Sequence, residues 1–205
     1  MQNKKQSAGN SSNNVDLVGE GVVVPFKLHG MSNQGSLTRA TAVVDLSGAA
    51  APTRKFVADC FEIRKEFGEY RLLFGQRKVD GKSLRAMLDV RFPIEPMPGM
   101  AATVYAGIVS IPLDEKLQSI NYLMEFLEEP EQSIALAANF TRTNAGPGAT
   151  TMDFFNSSGL ALANFFTTQK LFTDPVVRLT MPNPMMLQFS KELEKIVPKN
   201  IAVPT

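Results

Sequence analysis

Reactive side chains are scarce in this chain, which carries one histidine, His29, and one cysteine, Cys60. A histidine works as a general base or a metal ligand only with partners, and the usual zinc sites need several Cys or His ligands. His29, between Leu28 and Gly30 at the end of an apolar run, reads as a turn residue. Cys60 shares a strand face with Phe56 and Ala58 and reads as a small buried hydrophobe. Carboxylates are more plentiful: Asp114 and Glu115 open one segment, and Glu125, Glu128, Glu129 and Glu131 crowd its end. Paired carboxylates can run acid–base chemistry or hold Mg²⁺, but these fall on the polar face of an amphipathic helix, where solvated charge belongs. Val18-Gly19-Glu20-Gly21 precedes a strand, and Gly146-Pro147-Gly148 is not followed by Lys-Ser/Thr, so neither meets the context of a phosphate-cradling loop. No catalytic residue, metal ligand or cofactor site is expected, and the chain does not read as an enzyme.

Two binding chemistries remain. Arg71, Arg77, Lys78, Arg85 and Arg91 lie on neighbouring strands, and the alternation places Arg71, Arg77, Arg85 and Arg91 on one wetted face. Such a face can track phosphates, making these five the candidate nucleic-acid residues, although Glu66, Glu69 and Asp89 interrupt them. Met181, Met185, Met186 and Phe189 are the candidate peptide-binding residues, because methionine lines adaptable apolar grooves. A helix facing its own sheet explains the same four residues.

Period-two alternation is the strongest signal of the elements that position these groups. In 69–74, Tyr70, Leu72 and Phe74 share a face; from Leu84, every even position to Ile94 is apolar while Arg85, Asp89 and Arg91 are charged. Asp80-Gly81 between them is a preferred hairpin turn. Further strands are expected at Gly21–Leu28, Leu37–Leu46, Phe56–Arg64, Thr103–Ile111, Ile134–Arg142, Thr150–Phe155 and Val176–Met181, with His29 to Gly35 a connector. Helical spacing of Leu113, Leu117, Ile120, Met124 and Leu127 predicts a helix over 113–128. Asn183 is expected to cap another over 183–197, with Pro184 in its first turn and Met185, Phe189, Leu193 and Ile196 as its stripe. Leu160–Phe166 reads equally as strand or helix. The expected class is α+β: mainly antiparallel sheet with two amphipathic helices on one face.

Residues 1–14 are polar and expected to be disordered, leaving one domain over 15–205. Within it, 56–128 and 134–197 parallel one another as β-β-β-α halves: Phe61 against Phe140, Leu72-Leu73-Phe74 against Met152-Asp153-Phe154, and Val90-Arg91-Phe92 against Val177-Arg178-Leu179. Charge is uneven. Residues 51–91 hold ten Lys/Arg against six Asp/Glu, a net +4, and 92–205 hold seven against eleven, a net −4. That asymmetry suits head-to-tail association or a nucleic-acid contact. No apolar run approaches the roughly 20 residues that span a bilayer. Met1–Gln6 leads into Ser, Gly and Asn instead of an apolar core, so no membrane contact is expected and the expected location is cytoplasmic.

The order of Asn139-Phe140, Asp153-Phe154, Val177-Arg178-Leu179 and the Pro-started helix Pro182–Ile196 resembles small uncharacterised bacterial strand-strand-strand-helix proteins with the layout of SecB-like export chaperones. The resemblance covers about a third of the chain. It implies an oligomer that binds extended polypeptide in apolar grooves. The expected function is therefore a non-catalytic, homo-oligomeric binding or scaffold protein with polypeptide as the candidate partner. The alternative is a nucleic-acid-associated or shell-forming protein using a flexible N-terminal arm and the basic hairpin.

Overall fold

The computed structural model describes residues 22–34, 37–78, 84–111, 134–168 and 170–197. The expected tail at 1–14, the Asp80-Gly81 turn and the helix at 113–128 lie outside the described residues. The fold is α+β. Eleven strands are described: β1 (Val22–Val24), β2 (Phe26–Gln34), β3 (Leu37–Val44), β4 (Lys55–Val57), β5 (Cys60–Glu66), β6 (Glu69–Arg77), β7 (Leu84–Pro93), β8 (Ile134–Ala137), β9 (Phe140–Ala145), β10 (Ala149–Asn156) and β11 (Leu171–Pro182). Three helices are found among the described residues: α1 (Met97–Val109), α2 (Gly159–Thr168) and α3 (Asn183–Ile196). Strands β1-β11-β10-β9, with β4 added parallel to β11, form one sheet; β5-β6-β7-β8 form the second; β2 and β3 form a separate ribbon.

The two sheets are put together in the same way. Each has an antiparallel trio, β5-β6-β7 or β9-β10-β11, plus a short parallel strand on the third member. That parallel strand comes from the other unit: β4, just before β5, pairs with β11, and β8, just before β9, pairs with β7. The runs expected as single strands, Phe56–Arg64 and Ile134–Arg142, are therefore each broken where the chain crosses between sheets. Asp59 and Asn139 mark the breaks. The Asp59 N–H donates to Gly75 O, and the Asn139 N–H donates to Phe155 O, both at 3.0 Å. Asp59 Oδ1 accepts the Arg77 N–H at 2.8 Å, and Asn139 Oδ1 accepts the Ser157 N–H at 2.9 Å. Both second strands also carry a register shift at matching places, Phe74/Gly75 and Phe154/Phe155. These equivalences match Cys60 with Phe140 and Leu88-Asp89-Val90 with Val177-Arg178-Leu179. The residue matches Phe61/Phe140 and Arg91/Arg178 suggested by the sequence are out of step with them.

One core joins both sheets and two helices. Phe61, Leu72, Phe74, Leu88, Val90 and Phe92 meet Met152, Phe154, Val177, Leu179 and Met181, with Met97, Met100 and Val104 of α1 and Met185, Met186, Phe189 and Leu193 of α3 filling in. A smaller cluster of Val24, Leu46, Ala49, Phe155, Phe165 and Leu171 covers the far side of β10 and β11, with Phe165 supplied by α2. Leu160–Phe166 is thus helical.

Helix α1 overturns the strand expected at Thr103–Ile111. Its β-branched residues favour a strand locally, but Met97, Met100, Val104 and Gly107, spaced three and four apart, are the buried ones. Burial of that stripe outweighs a propensity worth a fraction of a kcal/mol per residue. The Pro96-Met97-Pro98 segment, which reads as a break, is the start: a proline in the first turn presets φ and forfeits an N–H that had no helical partner. Gly107 lets α1 lie close on β9, since a Cβ there would meet Thr143 Cγ2 at 2.5 Å. Asn183 does not cap α3. Its carboxamide accepts from Thr150 Oγ1 at 2.7 Å and donates to Gly146 O at 2.9 Å, pinning the helix start to the β9–β10 turn. The expected connector His29–Gly35 is strand as far as Gln34, and Pro25, lacking an amide donor, separates β1 from β2.

Candidate anion-binding tip

The β6–β7 hairpin carries the five expected cations, and the structure divides them. The register shift at Phe74/Gly75 inserts an extra residue in β7 and reverses its alternation. Leu88, Val90 and Phe92 face the main core, whereas Leu84 and Ala86 pack on the opposite side with Cys60 and Leu73. The single apolar face read from Leu84 to Ile94 is therefore two faces, and Arg85 does not share a side with Arg91. One residue of slip is enough, because side-chain direction has a period of two.

Arg71 and Arg91 are not available to a polyanion as expected. Arg71 is buried at 8% exposure, its Nε donating to Asp89 Oδ2 at 2.8 Å, with Glu66 at 3.5 Å from its Nη1. Arg91 is half-buried; its Nη1 contacts Glu69 at 3.0 Å and Glu66 at 3.3 Å, and its Nε lies 3.3 Å from Asp89 Oδ1. The two arginines sit directly opposite each other across β6 and β7, a repulsive placement that these carboxylates offset.

Arg77, Lys78 and Arg85 are exposed and gather where β6 ends and β7 begins. With Gln76 they line a cavity of about 260 Å³. Gln76 and Arg85 are register partners, and Gln76 Nε2 donates to Val57 O at 2.8 Å, tying the tip to the end of β4. Asp59 Oδ1 accepts the Arg77 N–H beside them. Arg77 pairs with Leu84 and Gln76 with Arg85, so alternation sends the two guanidinium groups to opposite faces of the hairpin.

The methionine stripe is elsewhere. Met181, Met185, Met186 and Phe189 are each 0% exposed, inside the shared core. Phe189 packs edge-on against Phe61 at 5.2 Å between ring centroids and lies 5.7 Å from Phe74. This is the helix-on-its-own-sheet arrangement, and it leaves these four no solvent-facing groove.

A charged cluster that the sequence reading did not single out joins β9, β10 and β11. Asp153 accepts from Arg178 Nε at 2.6 Å and Nη2 at 2.8 Å, and from Arg142 Nη2 at 2.6 Å. Arg142 Nη1 donates to Leu46 O at 2.7 Å and Ala49 O at 2.9 Å, and its guanidinium lies 5.4 Å from the Phe155 ring centre. Arg142 thereby straps the 45–50 loop onto the sheet. Burial pushes the Asp153 carboxyl up, but hydrogen bonds from Arg178 and Arg142 more than offset it and hold the pKa below its ordinary 3.8. The available signal was local: an acid flanked by apolar residues, as in Met152-Asp153-Phe154 or Leu88-Asp89-Val90, is buried only with a partner.

Cys60 is fully buried, and burial, reinforced by the neighbouring Asp59 carboxylate, pushes its thiol up to about 12. A thiol with a raised pKa is inert at neutral pH. The native protein is expected to resist iodoacetamide at mildly alkaline pH and to react once unfolded in urea, read by intact mass; rapid native labelling would contradict the placement. The stabilisation from keeping this thiol neutral is whole below 9, the ordinary value, and is lost as pH rises towards 12.

Among the described residues, no group of three or more His, Cys, Asp and Glu side chains is placed to hold a metal ion, and no helix is long and apolar enough to cross a membrane. Compared with known proteins, the chain matches no family model, no curated protein and no solved structure.

Proposed function

We propose that this chain is a non-catalytic scaffold that assembles with copies of itself through the β2–β3 ribbon. The ribbon carries the reading. Its nine- and eight-residue strands pair from Phe26↔Val44 to Gln34↔Leu37, and among the described residues no other strand joins them. A two-stranded ribbon alone in water is marginal, and its outer edges present rows of backbone donors and acceptors that template further strands. A second copy of the same ribbon satisfies those edges symmetrically, as closed homo-oligomers do. The non-catalytic part rests on how the reactive groups are used: Cys60 is neutral in the core, while Asp89 and Asp153 hold arginines across strands. Polypeptide cargo, implied by the SecB-like layout, has no role for the methionine stripe in this reading.

Size-exclusion chromatography with light scattering tests it. The intact chain is expected to elute as a multiple of 22.4 kDa. Replacing residues 28–42 by Asn-Gly keeps the Lys27↔Val43 pair, closes the ribbon with a preferred turn, and is expected to yield a folded monomer. A monomeric intact chain, or a variant that keeps its oligomeric mass, would sink the proposal.

A further inference from the structure

We infer that two joined ribbons lay one apolar face over the outward sides of the α2 helices, so that the ribbon of each copy seats on α2 of the other; this contact rests on the ribbon reading of assembly. Register settles which residues of the ribbon share a face. Phe26 pairs with Val44 and Leu28 with Ala42, and the shift between Leu28 and Gly30 then brings Met31 opposite Ala40. Without that extra residue, alternation would put Met31 on the other face from Leu28. The opposite face carries Lys27 and the pairs Gly30↔Thr41 and Ser32↔Arg39. The ribbon is thus amphipathic. Two ribbons joined edge to edge make a four-stranded sheet with one apolar face, and such a face is stable only against a second layer.

Helix α2 offers that layer. The first unit joins β6 to β7 with six residues, 78–83, whereas fourteen, 157–170, join β10 to β11 and carry α2. The architecture does not require the helix. Phe165 is its buried side chain, in the smaller cluster. Leu160, Ala163 and Thr167, spaced three and four apart, form the outward side and are exposed, Leu160 at 52%. A solvated helix carries charge opposite its buried stripe, but residues 156–169 contain no Asp, Glu, Lys, Arg or His. Size agrees: two strands are about 10 Å wide, the width of one helix, and Phe26–Met31 run about 17–20 Å against about 15 Å for α2. Position agrees too. The ribbon leaves the body between Val24 and Leu46, and both lie with Phe165 in the smaller cluster, so it is rooted beside α2. Folding back on its own helix would leave the ribbon edges open. Exchange between two copies about a two-fold axis satisfies the edges and the apolar face together.

The test compares the full chain with a face variant carrying Leu160→Gln, Ala163→Glu and Thr167→Lys. The last two add an i, i+4 pair of opposite charge that favours the helix and leaves net charge unchanged, so only a layer covering this side is harmed. A control carries Tyr105→Gln and Val109→Gln, exposed apolar residues of α1. Sedimentation velocity over a dilution series reads the dissociation constant. The face variant is expected to raise it about tenfold or more, and the control to leave it unchanged. Hydrogen exchange in the unsubstituted chain needs no variant: amides of residues 159–168 are expected to exchange more slowly above the dissociation concentration than below it. Should the face variant fail to fold, the exchange result decides alone. An intact chain that is monomeric at every concentration overturns ribbon assembly and this contact with it. If the intact chain assembles and the 28–42 replacement is monomeric, two results overturn the α2 contact while the ribbon reading stands: a face variant that assembles as tightly as the intact chain, or α2 exchange that does not change with concentration. Equal weakening by the control overturns the contact as well.

Discussion

Phe189→Ala is expected to cost about 3–5 kcal/mol of folding stability, the usual range for emptying a fully buried phenylalanine site. The side chain is 0% exposed and its ring touches Phe61 and Phe74, so its removal opens a cavity where both sheets and α3 meet. Neighbours in a close-packed core relax only partly into such a space. Against the ordinary 5–15 kcal/mol of a folded domain, that is a large share. The measurement is a urea titration followed by circular dichroism. A residue lining an open peptide groove behaves differently: its truncation changes ligand binding while the unfolding midpoint hardly moves. A shift worth less than about 1 kcal/mol would place Phe189 outside the core. Met186→Gln is expected to act in the same direction, since the carboxamide would be buried at a fully enclosed position among apolar neighbours.

Asp153→Asn is expected to cost about 2–3 kcal/mol near neutral pH, less than a fully enclosed pair because Arg142 and Arg178 keep 22% and 27% of their side-chain exposure. The asparagine keeps the shape but loses the charge, leaving two guanidinium groups converging without their shared anion. The pH dependence distinguishes this from a packing effect. The carboxyl is held below its ordinary 3.8 in the folded chain, so its contribution is fully present above that value and lost as pH falls through the lowered folded value. Melting temperatures of the two proteins are therefore expected to differ most at neutral pH and to converge in acid. A gap that stays constant down to strongly acidic pH would mean the charge is not what matters. Because Arg142 also holds the Leu46 and Ala49 carbonyls, the same substitution is expected to raise amide exchange in the 45–50 loop.

Local pattern alone determined a good part of this molecule. Alternation in Tyr70-Arg71-Leu72-Leu73-Phe74 and in Leu88-Asp89-Val90-Arg91-Phe92 marks β6 and β7, because a strand with one buried face needs a period of two. Met185, Phe189 and Leu193 after Pro184 mark α3, because a helix buries one stripe and tolerates proline only at its start. The α+β class follows from those elements. Three exposed cations, Arg77, Lys78 and Arg85, were also legible as candidates.

Which face each strand buried, and which charges stayed in solvent, depended on neighbours distant in the chain. The register shift opposite Phe74 and Gly75 turned Leu84 and Ala86 away from Leu88, and no periodicity within β7 announces a slip relative to β6. Helix α1 formed from strand-prone residues because Met97, Met100 and Val104 had a core to enter, which requires both sheets to be in place. Arg71 was withdrawn from the surface by Asp89, eighteen residues away, and Asp153 was made tenable by Arg142 and Arg178 on the strands either side. Propensity and alternation are properties of a few adjacent residues, and the chain carries them wherever it goes. Burial, ion pairing and strand register are free energies of contact, and they exist only once the two sheets have closed on each other.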